Sequence, residues 1–314
     1  VTTAFERAKA ALAAAGTAPH VVTIGNFDGV HRGHQYLIEK VKASAQRRGA
    51  ESLAITFEPH PAAVLRPDLA PERIATAAEK LRLLRATGLD SVAVIEFTRE
   101  FSTLTPEEFL DLLLSTVQPV EVFVGEGFRF GKARAGDGDT IRQFGATHGF
   151  DTTIVTRLRD DDAMISSSNI RAALTSGDIA EAERYLGRRY RLLGTVEHGE
   201  ARGRELGFPT ANLTVDPTVC VPADGIYAAL AHVPDGQMSA RKAIVYIGSR
   251  PTFDNGNRIV EAYILDFSGD LYTQELEIEF VARIRGDQAF ESAEQLIEQM
   301  NRDEQDARLI LKDL

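Results

Sequence analysis

Val21-Val22-Thr23-Ile24-Gly25-Asn26-Phe27-Asp28-Gly29-Val30-His31-Arg32-Gly33-His34 is the stretch on which the fold turns. A short β-branched run passes straight into a glycine-punctuated turn. Leu37, Ile38, Val41 and Ala45 then recur at three- and four-residue spacing, which predicts an amphipathic helix. Apolar runs at 53–57, 92–95, 120–124 and 152–155 repeat the rhythm between helical stretches, one of which opens on the capping box Thr105-Pro106-Glu107-Glu108. Near-continuous apolar strands alternating with helices predict an α/β region with a Rossmann-like parallel sheet covered on both faces. Ligands of such sheets sit beyond the carboxyl ends of the strands.

The turn after the first strand has the chemistry for an anion. Glycines let backbone N–H groups approach a phosphate, and the following helix start adds partial positive charge. His31 and His34, separated by two residues at that turn, can both face the same phosphates as donors that stabilise charge on a pentavalent phosphorus. Other polar pieces fall at the same sheet edge: Thr56-Phe57-Glu58-Pro59-His60-Pro61 after the second strand, Gly125-Glu126-Gly127-Phe128-Arg129-Phe130-Gly131 after the fourth, and Ile165-Ser166-Ser167-Ser168-Asn169-Ile170-Arg171 after the fifth. Ser167 or Ser168 is expected to cap a helix, with Arg171 one turn in, placed to pair with a phosphate.

After Gly187-Arg188-Arg189-Tyr190 the rhythm changes. Runs at 226–233, 242–247, 259–267 and 276–284 read as strands with no long helical pattern between them, which predicts an antiparallel barrel or sandwich. Residues 289–311 read as a closing helix, and the Ala-rich stretch 8–15 as a short helix near the start. The expected domains are therefore 1–186 and 187–314.

Composition limits the function classes. With 35 Lys and Arg against 46 Asp and Glu the net charge is −11, which argues against a general duplex-binding protein. The single cysteine, Cys220, can form neither an internal disulfide nor a zinc cage, and no apolar run approaches the roughly 18 residues of a membrane helix. The first residues show no signal-peptide pattern, so the expectation is a soluble cytoplasmic protein without a nucleic-acid or membrane partner. Oligomeric state is not legible.

A second glycine-rich basic stretch, Gly199-Glu200-Ala201-Arg202-Gly203-Arg204-Glu205-Leu206-Gly207-Phe208-Pro209-Thr210-Ala211-Asn212, opens the later region. It suits a phosphate and metal cradle, in which Thr210 and Asn212 offer the neutral oxygens that Mg²⁺ accepts. It reads equally well as a hairpin with a flexible tip. Glu261 alternates with apolar neighbours in Val260-Glu261-Ala262-Tyr263, as a proton acceptor on a ligand-facing strand or as an ordinary solvent-facing glutamate.

Taken together and in order, these motifs resemble bifunctional prokaryotic riboflavin kinase/FAD synthetase. The resemblance covers about residues 20–312 and rests on 25–34, 56–61, 123–131 and 165–171 in the first half. In the second it rests on Gly207-Phe208-Pro209-Thr210-Ala211-Asn212, Ala223-Asp224-Gly225-Ile226-Tyr227 and Pro251-Thr252-Phe253. It implies a nucleotidyltransferase domain followed by a flavokinase β-barrel, with ATP as co-substrate, Mg²⁺ as cofactor, and riboflavin, FMN and FAD as substrates and products. It implies an adenylyltransferase ATP site at Gly25, Phe27, Asp28, His31, His34, His60, Ser167, Ser168 and Arg171, with His31 and His34 catalytic. For the kinase it implies phosphate contacts at Gly199, Arg204, Gly207, Pro209, Thr210 and Asn212, metal ligation by Thr210 and Asn212, and Glu261 as general base. Three positions depart from the pattern: Gly127 where Asn or Asp is common, Ala201 where Gly is frequent, and Ser168 for Thr. Beside the bifunctional enzyme stand two alternatives, a kinase whose adenylyltransferase half is weakened at Gly127, and a catalytically silent flavin- or nucleotide-binding regulator.

Overall fold

The computed structural model describes residues 2–161, 163–198, 208–234, 238–249 and 258–314, and contacts divide the chain into two units, 1–167 and 168–314.

The first unit begins with α1 (Ala4–Ala13), which starts earlier than the alanine run suggests because Thr3 and Glu6 form a capping box. Then follow β1 (His20–Ile24), α2 (Arg32–Arg48), β2 (Glu51–Glu58), α3 (Pro61–Leu65), α4 (Ala77–Ala86), β3 (Ser91–Glu96), α5 (Pro106–Val117) and β4 (Pro119–Gly125). A small pair, β5 (Arg129–Phe130) and β6 (Gly136–Asp137), precedes α6 (Gly138–His148) and β7 (Asp151–Val155). A second small pair, β8 (Arg159–Asp160) and β9 (Ala163–Met164), closes the unit. The capping box expected at Thr105 and Glu108 is formed, a feature that contributes about 1 kcal/mol.

Five strands make one parallel sheet in the order β3-β2-β1-β4-β7. Because successive side chains point to opposite faces, Val22 and Ile24 join Leu53, Ile55, Val122 and Val124 under α1, α5 and α6. Val21, Ala54 and Phe123 face the other way, against Leu37, Ile38, Val41 and Ala45 of α2 and Leu84 of α4. The sheet is thus buried on both faces, as its unbroken apolar runs require. From β1 the chain winds outward through β2 and β3, then returns to β4 on β1's other side. The switch between β1 and β4 opens a crevice at the carboxyl edge.

In the second unit α7 (Ser167–Ser176, whose first residue belongs to the first unit) and α8 (Ile179–Leu186) lead into a closed antiparallel barrel. Its strands are β10 (Arg191–Glu197), β11 (Ala211–Val215), β12 (Gly225–Val233), β13 (Met238–Ser249), β14 (Arg258–Ile264) and β15 (Glu275–Arg285), in the spatial order β10-β11-β14-β13-β12-β15. Closure settles the choice between barrel and sandwich. The apolar pattern leaves β10 and β11 unmarked, since Gly194, Thr195, Asn212 and Thr214 dilute it. The run at 259–267 overshoots its strand: β14 ends at Ile264, and Asp266 takes φ 55 in the turn that follows. Inside the barrel Tyr190 and Tyr227 pack on Phe280. Outside, α9 (Ala293–Ile310) and the residue after it cover the wall, with Ala307 and Leu311 against Ala228, Leu230 and Ile244. The helix begins at Ala293 rather than 289 because Ser292 caps it, its side chain accepting from Gln295 N–H.

Candidate functional site

At the carboxyl end of β1 the turn is seated on the core by its own residues. Gly25 has no side chain, so the buried Phe27 ring lies against its backbone; a Cβ there would stand 3.1 Å from Phe27 Cζ. Asp28 is buried, and its Oδ1 accepts from the Ile74 N–H at 2.9 Å. Gly29 has φ 74, and a Cβ on it would come within 2.7 Å of Ile74 Cγ2. Gly33 likewise admits the His31 ring, which would be 3.1 Å from a Cβ at that position. The imidazoles of His31 and His34 stack with centroids 3.6 Å apart and planes 19° apart, and Phe27 meets His34 edge-on at 5.2 Å.

The two histidines stand at the start of α2, whose first turn has no acidic residue to offset its positive end. His34 Nδ1 is buried without a hydrogen-bond partner among the described residues. Burial above all, then the neighbouring His31 and Lys80, holds the His34 imidazole well below its ordinary pKa of 6.5. His34 is therefore neutral at physiological pH, with one N–H to donate and a lone pair to accept.

Beneath the end of β2 lies a group that composition and spacing do not single out. Lys80 is 4% exposed, and its ammonium reaches Glu58 Oε1 at 2.6 Å and donates to the Phe57 carbonyl at 2.9 Å. Arg73 holds the same Glu58 oxygen at 2.6 Å. A buried lysine is costly unless paired, and desolvation does lower its pKa, with Glu58 opposing. The available signal was positional: Lys80 and Leu84 share one face of α4, and both are buried.

His60 caps α3, its Nδ1 accepting from Ala62 N–H at 3.1 Å, and its Nε2 lies 3.3 Å from Asn26 Nδ2, so it stands beside the turn. Ser167 is the first residue of α7 rather than the residue before it, and its hydroxyl donates to the Asp28 carbonyl at 3.2 Å. The expected cap thus becomes a tie to the turn. Ser168 and Arg171 follow on the same helix. A surface depression lined by Glu121, Arg142 and Asp151 lies at the opposite, amino edge of the sheet. Its buried Glu121 carboxylate is saturated by Ser44, Arg48 and Thr153, which marks it as structural.

The barrel carries the second group. Antiparallel register sets Asn212 of β11 opposite Glu261 of β14, and Glu261 opposite Tyr246 of β13, so the three share one face in a row across adjacent strands. Their alternating neighbours Leu213, Val260, Ala262, Val245 and Ile247 are buried on the inner face, so the row lies on the outside of the barrel. Thr210 immediately precedes β11, two positions ahead of Asn212, and Pro209 before it is exposed. Tyr246 donates to Asp287 Oδ2 at 3.4 Å. Desolvation, with Asp287, Glu261 and Asp224 adding to it, pushes its pKa up to about 12, so the phenol stays protonated. Arg258 holds Asp224 Oδ1 at 2.7 Å. The sequence pattern does not single out Tyr246, because only register makes it a neighbour of Glu261. Gly199, Ala201, Arg204, Gly207 and Pro251-Thr252-Phe253 lie outside the described residues.

The model of the FAD synthetase family matches residues 14–169, and that of the riboflavin kinase family matches residues 186–311. A bifunctional riboflavin kinase/FMN adenylyltransferase of Escherichia coli K12 is 37% identical over 289 residues, which covers 92% of this chain and 91% of the relative. This chain belongs to the bifunctional riboflavin kinase/FMN adenylyltransferase family. The Bacillus subtilis relative of the same name is 35% identical over 295 residues, covering 92% of both chains. A crystal structure described as a macrolide-efflux protein from Streptococcus pneumoniae shares the fold, with a TM-score of 0.84, 30% identity, and coverage of 93% of this chain and 95% of that one. Among the described residues of the present chain, no helix is long and apolar enough to cross a membrane.

Proposed function

We propose that this protein makes both flavin cofactors: it phosphorylates riboflavin with ATP to give FMN and ADP, then adenylylates FMN with a second ATP to give FAD and pyrophosphate. The observation that carries the reading is the pair of family matches, one over each half of a chain that is 37% identical to a bifunctional relative across 92% of its length. Two separate polar groups, one at a parallel-sheet edge and one on a barrel, suit two separate reactions. These matches favour the bifunctional enzyme over both a riboflavin kinase with a weakened adenylyltransferase half and a silent regulator. We assign adenylyl transfer to residues 1–186 and the kinase to residues 187–314, in the cytoplasm.

In adenylyl transfer a phosphate oxygen of FMN attacks the α-phosphorus of ATP, the bond to the bridging oxygen breaks, and pyrophosphate leaves. His31 and the neutral His34 donate hydrogen bonds to the charge that builds on the phosphoryl oxygens. The backbone of the turn at Gly25, Phe27 and Asp28 and the start of α2 receive the triphosphate. His60, Ser167, Ser168 and Arg171 are assigned to the same nucleotide. Ser167 acts through its tie to Asp28.

In the kinase reaction Glu261 accepts the proton of the riboflavin 5′-hydroxyl as that oxygen attacks the γ-phosphorus and ADP departs. The hydroxyl of Thr210, the amide oxygen of Asn212 and the facing Glu261 form a set of hard oxygen donors of the kind Mg²⁺ takes alongside substrate phosphates. We assign Mg²⁺ to Thr210 and Asn212; when bound it neutralises phosphate charge. Pro209 stiffens the approach to that pair, and Gly199, Arg204 and Gly207 are assigned to phosphate contact. Incubation of riboflavin with ATP and Mg²⁺, followed by chromatography, tests the whole: FMN and FAD should both form. FMN alone supports the kinase with a weakened adenylyltransferase half, and neither product supports the regulator.

A further inference from the structure

Gly127 is the residue at which the sequence predicts a poorer adenylyltransferase, and the structure shows what lies in the space its side chain would fill. It has φ 77, and a Cβ built on it would stand 2.5 Å from Arg157 Nη2. Arg157 follows β7, which pairs with β4 at the sheet edge, Gly125 opposite Val155. Its Nε donates to the Glu126 carbonyl at 3.1 Å and its Nη1 to Met164 Sδ at 3.1 Å. The guanidinium is thereby laid across Gly127. It forms no ion pair with a described carboxylate, and Nη2 has no hydrogen-bond partner among the described residues. The segment is tied to the histidine turn from the far side as well: Arg32 pairs with Asp160 at 2.6 Å, and the Ile165 carbonyl passes 3.5 Å from where a Gly33 Cβ would be.

We propose that Arg157 binds a phosphate of the nucleotide at the adenylyltransferase site, and that position 127 is glycine so that this guanidinium can lie there. An arginine at the carboxyl edge of a parallel sheet stands where ligands bind, and its planar fork matches phosphate oxygens in pairs. Two of its nitrogens are anchored to the protein, so its plane is fixed before the nucleotide arrives, while Nη2 keeps its donors. The Glu126 backbone carbonyl accepts from Arg157 Nε, while its carboxylate accepts from the Arg157 backbone N–H at 3.5 Å rather than forming an ion pair with the guanidinium. The inference rests on the adenylyltransferase reading of the histidine turn.

The test uses the full chain and its Arg157→Ala, Arg157→Lys, Gly127→Asn and Gly127→Asn/Arg157→Ala variants. Steady-state FMN adenylylation is measured at varied ATP, and inorganic pyrophosphate binding is measured by calorimetry. Arg157→Ala should raise the KM for ATP and weaken pyrophosphate about 10- to 100-fold, as expected for the loss of a charge-assisted hydrogen bond. The kcat should change less and riboflavin phosphorylation not at all. Arg157→Lys should recover part of the loss. Gly127→Asn should impair the wild type, because it displaces the guanidinium, but should add no further loss in the Arg157→Ala background. Unchanged KM for ATP and unchanged pyrophosphate affinity in Arg157→Ala, in a protein that forms FAD, overturn the inference. If the wild type forms no FAD, the adenylyltransferase reading has failed, and the pyrophosphate titrations alone decide the anion contact: equal affinities sink it and unequal ones sustain it.

Discussion

At the scale of single residues, the two halves should fail independently. Removing the proton acceptor in Glu261→Ala should lower FMN formation on the order of 10²–10⁴-fold while FAD formation from supplied FMN persists. Replacing both His31 and His34 by Ala should remove FAD formation and leave the kinase intact; equal loss of both activities in either protein would point to one shared site. His34 adds a pH prediction. Its folded pKa lies below 6.5, through burial, His31 and Lys80. An unfolded imidazole takes up its proton near 6.5, whereas the native one waits for lower pH, so this group withdraws stability as pH falls from about 6.5. Side-chain NMR should therefore show no His34 titration between pH 8 and pH 6.5, and in Lys80→Met its midpoint should move upward. A midpoint at or above 6.5 in the wild type contradicts the neutral-donor role.

At the scale of elements, the strand-to-helix turn works because three glycines make room for side chains that anchor it. Gly29 is the most constrained, with φ 74 and Ile74 Cγ2 at 2.7 Å from an added Cβ. An L-residue costs roughly 1–2 kcal/mol in that conformation, and overpacking adds about 1–3. Gly29→Ala should accordingly lower the stability of the first unit by about 2–5 kcal/mol. It should also depress FAD formation by shifting His31, with riboflavin phosphorylation unchanged. Scanning calorimetry with both activity assays checks this; an unshifted transition would show that the turn yields more easily than its packing implies. The barrel works by register instead, since Asn212, Glu261 and Tyr246 meet because β11, β14 and β13 pair at those positions.

At the scale of the whole molecule, the change of sequence rhythm and the division of contacts fall at different places. The rhythm changes near 187, where helices give way to strands, whereas the contacts divide after Ser167. Helices α7 and α8 lie between these points, and they pack with the barrel: Leu174 carbonyl accepts from Ala223 N–H at 2.9 Å, and Arg283 donates to the Ser176 carbonyl at 3.3 Å. A fragment of residues 168–314 should thus be soluble, convert riboflavin to FMN and form no FAD. A fragment of residues 187–314 should melt several degrees lower, because it loses the buried faces of both helices, including Ile179, Tyr185 and Leu186. Equal melting temperatures would mean that the two helices do not support the barrel.

The alternation of apolar runs with helical spacing determined the parallel sheet by itself, because a strand buried on both faces leaves an unbroken apolar signature. It determined the turn at 25–34 as well, since glycines and paired histidines right after a strand are local features. The strands β10 and β11 escaped, because a barrel strand with one face outward and polar residues scattered along it carries a diluted period. Non-local contacts lay beyond the sequence altogether. That Lys80 sits under Glu58, that Arg157 fills the space over Gly127, and that Tyr246 stands opposite Glu261 are matters of helix docking, loop path and strand register. Each depends on where distant segments come to rest, which tertiary packing alone decides.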